Sequence, residues 1–186
     1  MATFFPYAIS SSLLALALLT PALASTMPAA DRLQSGLSLG SGPALGAQLN
    51  LDSRWQLGAS FAVPFYFFQD FGTMRYGAYG LCRLLSQDGF FMAGVAGLYG
   101  DFSLSDPDRY SPLGLQLGAA FAYQLNRQLT LRLNLVPGVS LRLPPNGWVV
   151  FPPAGGAEIG WRWNDSFELS LGYNGNGDIL GLNWTF

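Results

Sequence analysis

The chain has 186 residues, a length that fits one domain; half of them are hydrophobic and only 11% are charged, against about 25% in ordinary soluble domains. The net charge of −2 with no basic run argues against nucleic acid as a partner, and the single cysteine, Cys82, excludes an internal disulfide. Beyond the amino terminus, Gly, Ser, Asn, Gln and Arg interrupt every apolar stretch before it reaches the roughly 18 residues of a membrane helix. A membrane-like composition without a helical span points to a closed barrel, because a backbone in lipid must satisfy its own hydrogen bonds.

Residues 1–24 read as a signal peptide. Leu13 to Leu19 is a short apolar core, and Ala22-Leu23-Ala24 ends in an A-x-A pattern that predicts cleavage after Ala24. No Lys or Arg precedes the core, which departs from the usual pattern. The alternative is an uncleaved anchor, for which the core is short. No Cys stands at the cleavage point, so a lipoprotein anchor is excluded. Residues 25–186 are then a single domain.

From Leu33 the apolar residues recur at every second position, the period of a strand with two unlike faces. Leu33 to Gly40 is the first such run, and Ser41-Gly42-Pro43 is a turn. Leu45, Ala47, Leu49 and Leu51 alternate with Gly46, Gln48 and Asn50, and Asp52-Ser53-Arg54 turns the chain. Trp55, Leu57, Ala59, Phe61, Val63, Phe65 and Phe67 follow on one face, with a loop over 69–74. In 75–85, Arg83 should turn from lipid, which places Tyr76, Ala78, Gly80, Cys82 and Leu84 outward. After a turn at 86–89, the strand over 90–102 is expected to face Phe91, Ala93, Val95, Gly97 and Tyr99 outward. A polar loop over 101–112 carries Asp101, Asp106, Asp108 and Arg109.

The alternation is sharper in the second half. Leu113 to Leu125 and Leu129 to Leu143 place Leu, Phe and Tyr at odd positions, with the turn Asn126-Arg127-Gln128 between them. Pro137 cannot donate to a ladder and marks a bulge or bend. A loop over 144–153 leads to Ala157, Ile159, Trp161 and Trp163 on one face. After the turn 164–166, Phe167, Leu169, Leu171 and Tyr173 continue it, and Gly175-Asn176-Gly177 closes the last hairpin. In the final strand Leu180, Leu182, Trp184 and Phe186 form the apolar face.

This ending, alternating apolar residues and a terminal Phe, resembles the carboxy-terminal signature of bacterial outer-membrane β-barrels. The resemblance implies that Leu180, Leu182, Trp184 and Phe186 are read by the barrel-insertion machinery and that outer-membrane lipid is the surrounding partner. In size the chain is similar to the OmpA-type and OmpX-type barrels. Turns at 52–54, 86–89, 126–128 and 164–166 alternate with longer joints at 69–74, 101–112 and 144–153, as short periplasmic turns alternate with outer loops. The expected fold is all-β, a closed antiparallel up-and-down transmembrane barrel of ten strands, with eight the alternative. Aromatic residues near the short turns (Trp55, Phe90, Phe91, Trp161, Trp163, Phe167, Trp184, Phe186) and near the long loops (Phe65, Phe67, Phe71, Tyr76, Tyr99, Phe102, Tyr110, Trp148, Phe151, Tyr173) would be the two interfacial girdles.

Arg132, Arg142, Glu158, Arg162 and Glu168 fall on inward faces of consecutive strands. They read either as an ion-pair network filling a small lumen or as a charged constriction for ions or small solutes. Glu158 and Glu168 have no sugar-binding surround that would make them an acid–base pair. With no His in the chain, a Ser nucleophile lacks its usual base and metal ligation lacks its usual donor, so neither catalysis, metal nor cofactor is expected. The Asp101–Asp108 loop reads as solvated rather than Ca²⁺-binding. The glycines of Gly36–Gly42 lack the helix and Lys of a phosphate loop. Three functions follow: a structural or surface-interaction barrel with a polar, packed lumen; a narrow pore; or a soluble lipocalin-like barrel, which needs the odd-numbered apolar residues inside.

Overall fold

The computed structural model describes residues 26–41, 43–63, 73–103, 112–141, 148–149, 152–177 and 179–186. The alternating runs form a closed, antiparallel, up-and-down barrel of ten strands. These are β1 (Gly36–Gly40), β2 (Ala44–Asn50), β3 (Trp55–Ala62), β4 (Thr73–Gln87), β5 (Phe90–Ser103), β6 (Gly114–Gln124), β7 (Leu129–Leu135, continued by Gly138–Ser140), β8 (Gly156–Arg162), β9 (Phe167–Asn174) and β10 (Leu180–Thr185). Trp148–Val149 extends the β8 side of the sheet by pairing with Gly138–Ser140. Pro137 interrupts β7, as expected of a residue without an N–H. Closure is made by the first and last strands, with Gly36 opposite Thr185 and Gly40 opposite Gly181. Each of the ten strands therefore has two neighbours, and the barrel closes on itself.

Three of the short turns are one structure used three times. The side-chain oxygen of Asp52 accepts from Arg54 N and Trp55 N at 2.6 and 2.8 Å. Asn126 does the same for Gln128 N and Leu129 N, and Asn164 for Ser166 N and Phe167 N, all at 2.8 to 2.9 Å. A short Asp or Asn side chain supplies the acceptor that a reversing backbone lacks. The two N–H groups donated to Asp52, Arg54's first, also hold its carboxyl below the usual carboxylate range. The remaining short turn, Asp88-Gly89, has positive φ at both residues (47° and 79°), the geometry that joins two strands through two residues.

Side chains sort by face as the alternation predicts in nine of the strands, and β5 is the exception. Ala93, Val95 and Tyr99 are buried in the lumen, Gly97 lies on the same face, and Phe91 lies under Arg83 with the guanidinium 5.6 Å from its ring centre. The cause is a one-residue bulge in β4 at Leu84. Gln87 pairs with Phe90 and Leu85 with Met92, but Arg83 pairs with Ala93 rather than Gly94. A one-residue slip moves a whole strand to the other face. Tyr99 and Phe91 thus leave the expected girdles. Trp55, Phe90, Trp161, Trp163, Phe167, Trp184 and Phe186 remain exposed near the short turns, with Phe167 and Trp184 stacked at 6.4 Å. The expected signal peptide (residues 1–24), Arg142, Asp106, Asp108, Arg109 and the aromatics Phe65, Phe67, Phe71, Tyr110 and Phe151 lie outside the described residues.

Two segments occupy much of the lumen. Residues 26–34, ahead of β1, run along the inside of the barrel as a strap from the short-turn end, and Thr26 reaches the far turn beside Asn176. From the far end, Pro152 to Gly155 also fold inward, with Ala154 N donating to Gln116 Oε1 at 3.2 Å. The middle of the β4–β6 wall is apolar: Tyr79, Leu81, Ala93, Val95, Ala120 and Ala122 pack with Ala30 of the strap, Val136 and Ala154. The ionic wall adjoins it, on β7, β8 and β9.

Gly118 shows how closely the hairpin after this wall is built. A Cβ there would stand 2.0 Å from Leu135 O and 2.7 Å from Val136 Cα, both backbone atoms that no rotamer change can move. Gly118→Val is expected to disrupt the β6–β7 pairing. The check is loss of the compact, fast-migrating form on an unboiled gel, with Ala119→Val, on the outer face, as the tolerated control.

Candidate functional site

The site is assembled around Arg132, on the lumen face of β7. Register alone brings two expected partners near it: Glu158 of β8 is directly opposite Arg132, and Glu168 of β9 is opposite Arg162. Arg132 donates to Glu158 Oε1 at 2.9 Å and to both oxygens of Glu168 at 2.6 and 2.9 Å. Its remaining edge grips Asp31 of the strap through two parallel hydrogen bonds, at 2.7 and 2.8 Å. This paired geometry is the strong form of an arginine–carboxylate contact. Arg32 adds a second cation, 3.3 Å from Glu168, and Arg162 stands 3.9 Å from Asp31. Three arginines and three carboxylates make a neutral cluster, which is what a narrow, dry interior requires. Gly160 leaves the room for it, since a Cβ there would meet Arg132 and Glu168 at 2.8 and 3.0 Å.

Four of the five expected lumen residues thus come together, and Arg142 lies outside the described residues. The alternation did not reveal Asp31 and Arg32, because they precede the first strand and carry no periodicity. Their signal was their place: two adjacent charges just ahead of an apolar alternation, in a chain poor in charge. A second ion pair was also missed. Arg75 and Asp101, opposite one another on β4 and β5, make two hydrogen bonds, at 2.5 and 2.9 Å, near the far end. Asp101 therefore belongs to the lumen rather than to a polar loop. Arg75 also donates to Gly175 O, which ties this pair to the last turn.

The strap is held through its backbone as well as through its charges. Asn134 donates to Pro28 O at 2.8 Å, Arg83 to Ala30 O at 3.0 Å, and Gln56 to Arg32 O and Gln34 O at 3.4 and 3.0 Å. Asn176 donates to the Thr26 hydroxyl. A polar cavity of about 380 Å³ remains at the short-turn end, lined by Asp31, Arg32, Asn50, Asp52, Arg83 and Arg162 among others. A shallow apolar groove lies on the outer wall over Ala47, Leu57, Ala59 and Ala78. Chemically, the cluster can hold charge in place and bind a carboxylate or a guanidinium. Glu158 and Glu168 both accept from Arg132, and Glu168 also stands beside Arg32.

No family model, curated protein or solved structure matches the chain.

Proposed function

We propose that this chain is an integral outer-membrane β-barrel, exported by a signal peptide cleaved after Ala24, that serves as a structural or surface-interaction barrel with a packed lumen. The observation that carries this is the sorting of charge. Arg75, Arg83, Asp101, Arg132, Glu158, Arg162 and Glu168, the charged residues of the described strands, all turn inward. The outward positions carry exposed Leu, Ile, Phe, Tyr and Trp instead, from Leu37 on β1 to Trp184 on β10. In water such a surface would associate, whereas in lipid it has its solvent. A lipocalin-like soluble barrel needs the odd-numbered apolar residues inside, and on β1 to β3 and β6 to β9 they are outside. The strap favours a closed barrel over a narrow pore, since it occupies the space beside Arg132. With no His and with the lumen carboxylates engaged by arginine, no catalytic role is proposed.

The test is fractionation. The protein is expected in the outer-membrane fraction, to resist carbonate extraction, and to migrate faster unboiled than boiled. Release by carbonate without detergent, or identical migration, would overturn the proposal. The purified protein in planar bilayers is expected to give no steady conductance, and regular single-channel steps would favour the pore.

A further inference from the structure

The strap's contacts climb the barrel in order. Ser35 Oγ accepts from Asn50 N at 3.1 Å and Gln34 O accepts from Gln56, both at the short-turn end. Arg32 follows at Glu168 and Asp31 at Arg132. Pro28 O accepts from Asn134, two residues further along β7, and Thr26 ends beside Asn176 in the turn that joins β9 to β10 at the far end. A Cβ on Gly46, near the far end of β2, would lie 3.3 Å from Thr26 Cβ, so a second wall residue puts the start of the strap at the same height. The turn at 30–31, closed by Arg32 N donating to Ala29 O at 3.3 Å, shortens the climb without reversing it.

Ten strands make room for this passage. A barrel of about eight has an interior that side chains alone can fill. An even strand count also returns both ends of the sheet to the short-turn side, where Gly36 stands opposite Thr185. The strap alone carries the chain back across. Resting on the proposed membrane reading and on cleavage after Ala24, we infer that the mature amino terminus is led through the lumen and displayed at the cell surface, on the side opposite the carboxy terminus. All nine basic residues of the chain are arginine, so the α-amine freed by cleavage is its only primary amine. The leader, with its apolar core, could not follow through a lumen lined by Arg132, Glu158 and Glu168. Its removal therefore precedes the closure of β1 on β10.

The absence of lysine makes the test direct, because an amine-reactive ester reads one site. Cells producing the full chain are treated intact, and again after the outer membrane is permeabilised, with a succinimidyl ester carried on a polyethylene glycol too large to pass porins. Two reporters fix the sides: Pro112→Lys, exposed at the far end ahead of β6, and Arg127→Lys, exposed in a short turn. Peptide mass spectrometry assigns each label. Thr26 is buried, so the chain is studied both as it stands and with a lysine-free Gly-Ser linker of about six residues, reaching roughly 13 Å, between Ser25 and Thr26. On intact cells the α-amine of the extended chain is expected to react as fully as the Pro112→Lys amine and about ten times more than the Arg127→Lys amine, which catches up after permeabilisation.

A disulfide checks that the strap stays threaded. Thr26→Cys with Gly46→Cys brings two Cβ atoms to 3.3 Å, against about 3.8 Å in natural bridges. With Cys82→Ser, and Ser38→Ala to clear the hydroxyl facing position 46, the bridge is expected to form with and without the linker. Where it forms only without the linker, the labelling of the unextended chain decides. If the α-amine reacts only when the Arg127→Lys amine does, or only after boiling, while the Pro112→Lys amine reacts on intact cells, the inference is overturned and the membrane reading stands. Failure of the bridge in both folded chains overturns it as well. If the Pro112→Lys amine is itself silent on intact cells, the outer-membrane reading falls and takes the inference with it.

Discussion

Replacement of Arg132 by Met is expected to prevent the barrel from refolding at neutral pH. The substitution keeps most of the apolar volume and removes one charge, but that charge faces Asp31, Glu158 and Glu168 together. Breaking a buried pair by removing one partner costs about 3–5 kcal/mol, because the remaining charge stays buried and unpaired. Here three carboxylates are left with Arg32 as the nearest cation, 3.3 Å from Glu168. A domain stable by about 5–15 kcal/mol has little to spare for such a loss. The control is neutralisation of one carboxylate to match. Arg132→Met combined with Glu158→Gln, which leaves Arg32 beside Glu168 and Arg162 beside Asp31, is expected to recover part of the fast-migrating folded form. Unboiled gels after refolding read both outcomes. If the single variant refolds as well as the parent, the cluster is not what holds the lumen together.

Replacement of Leu117 by Arg is expected to separate a lipid-facing wall from a water-facing one. Leu117 lies near the middle of β6 on the outer face and is 70% exposed. On a soluble surface such a change stays within about 0.5 kcal/mol. On the lipid face of a barrel, Arg near the midplane costs about 2–4 kcal/mol. Urea unfolding of protein folded in lipid vesicles is therefore expected to show a clear loss of stability for Leu117→Arg. Arg127→Leu, in a short exposed turn, is expected to change little. An unaltered midpoint for Leu117→Arg would count against the membrane proposal while leaving the barrel itself standing.

Much of this molecule is legible in its sequence, because barrel geometry is written with a period of two. The outward faces of β3, β6 and β7 could be read residue by residue, since Leu, Phe and Trp alternate there with Gln, Gly and Arg. The closing pair β1–β10 followed from counting. What resisted was β5, where both faces carry small or apolar residues and composition does not choose between them. Had no bulge intervened, the Asp88-Gly89 turn would have set Gly94 opposite Arg83 and turned Ala93 and Val95 outward, as read. The extra residue at Leu84 reversed that, and a single bulged residue has no strong signature of its own. The strap was hidden for a different reason. Its fold comes from groups more than twenty residues away, such as Gln56, Arg83 and Arg132, and its own sequence has no period. Arg132, Glu158 and Glu168 were visible as a set, but the fact that they converge on Asp31 was not.

The three repeated Asp and Asn turns and the threaded strap also imply an order of events. Each turn closes with hydrogen bonds spanning two or three residues, so its hairpin can form while the rest of the chain is still absent. The strap reaches Arg132 across 101 residues and Asn176 across 150, so it cannot settle until nearly the whole barrel wall has arrived. Assembly then has a fast local clock and a slow global one. The same late moment must join β1 to β10 around a segment that leads directly into β1, so the final seam and the filling of the interior become a single kinetic step.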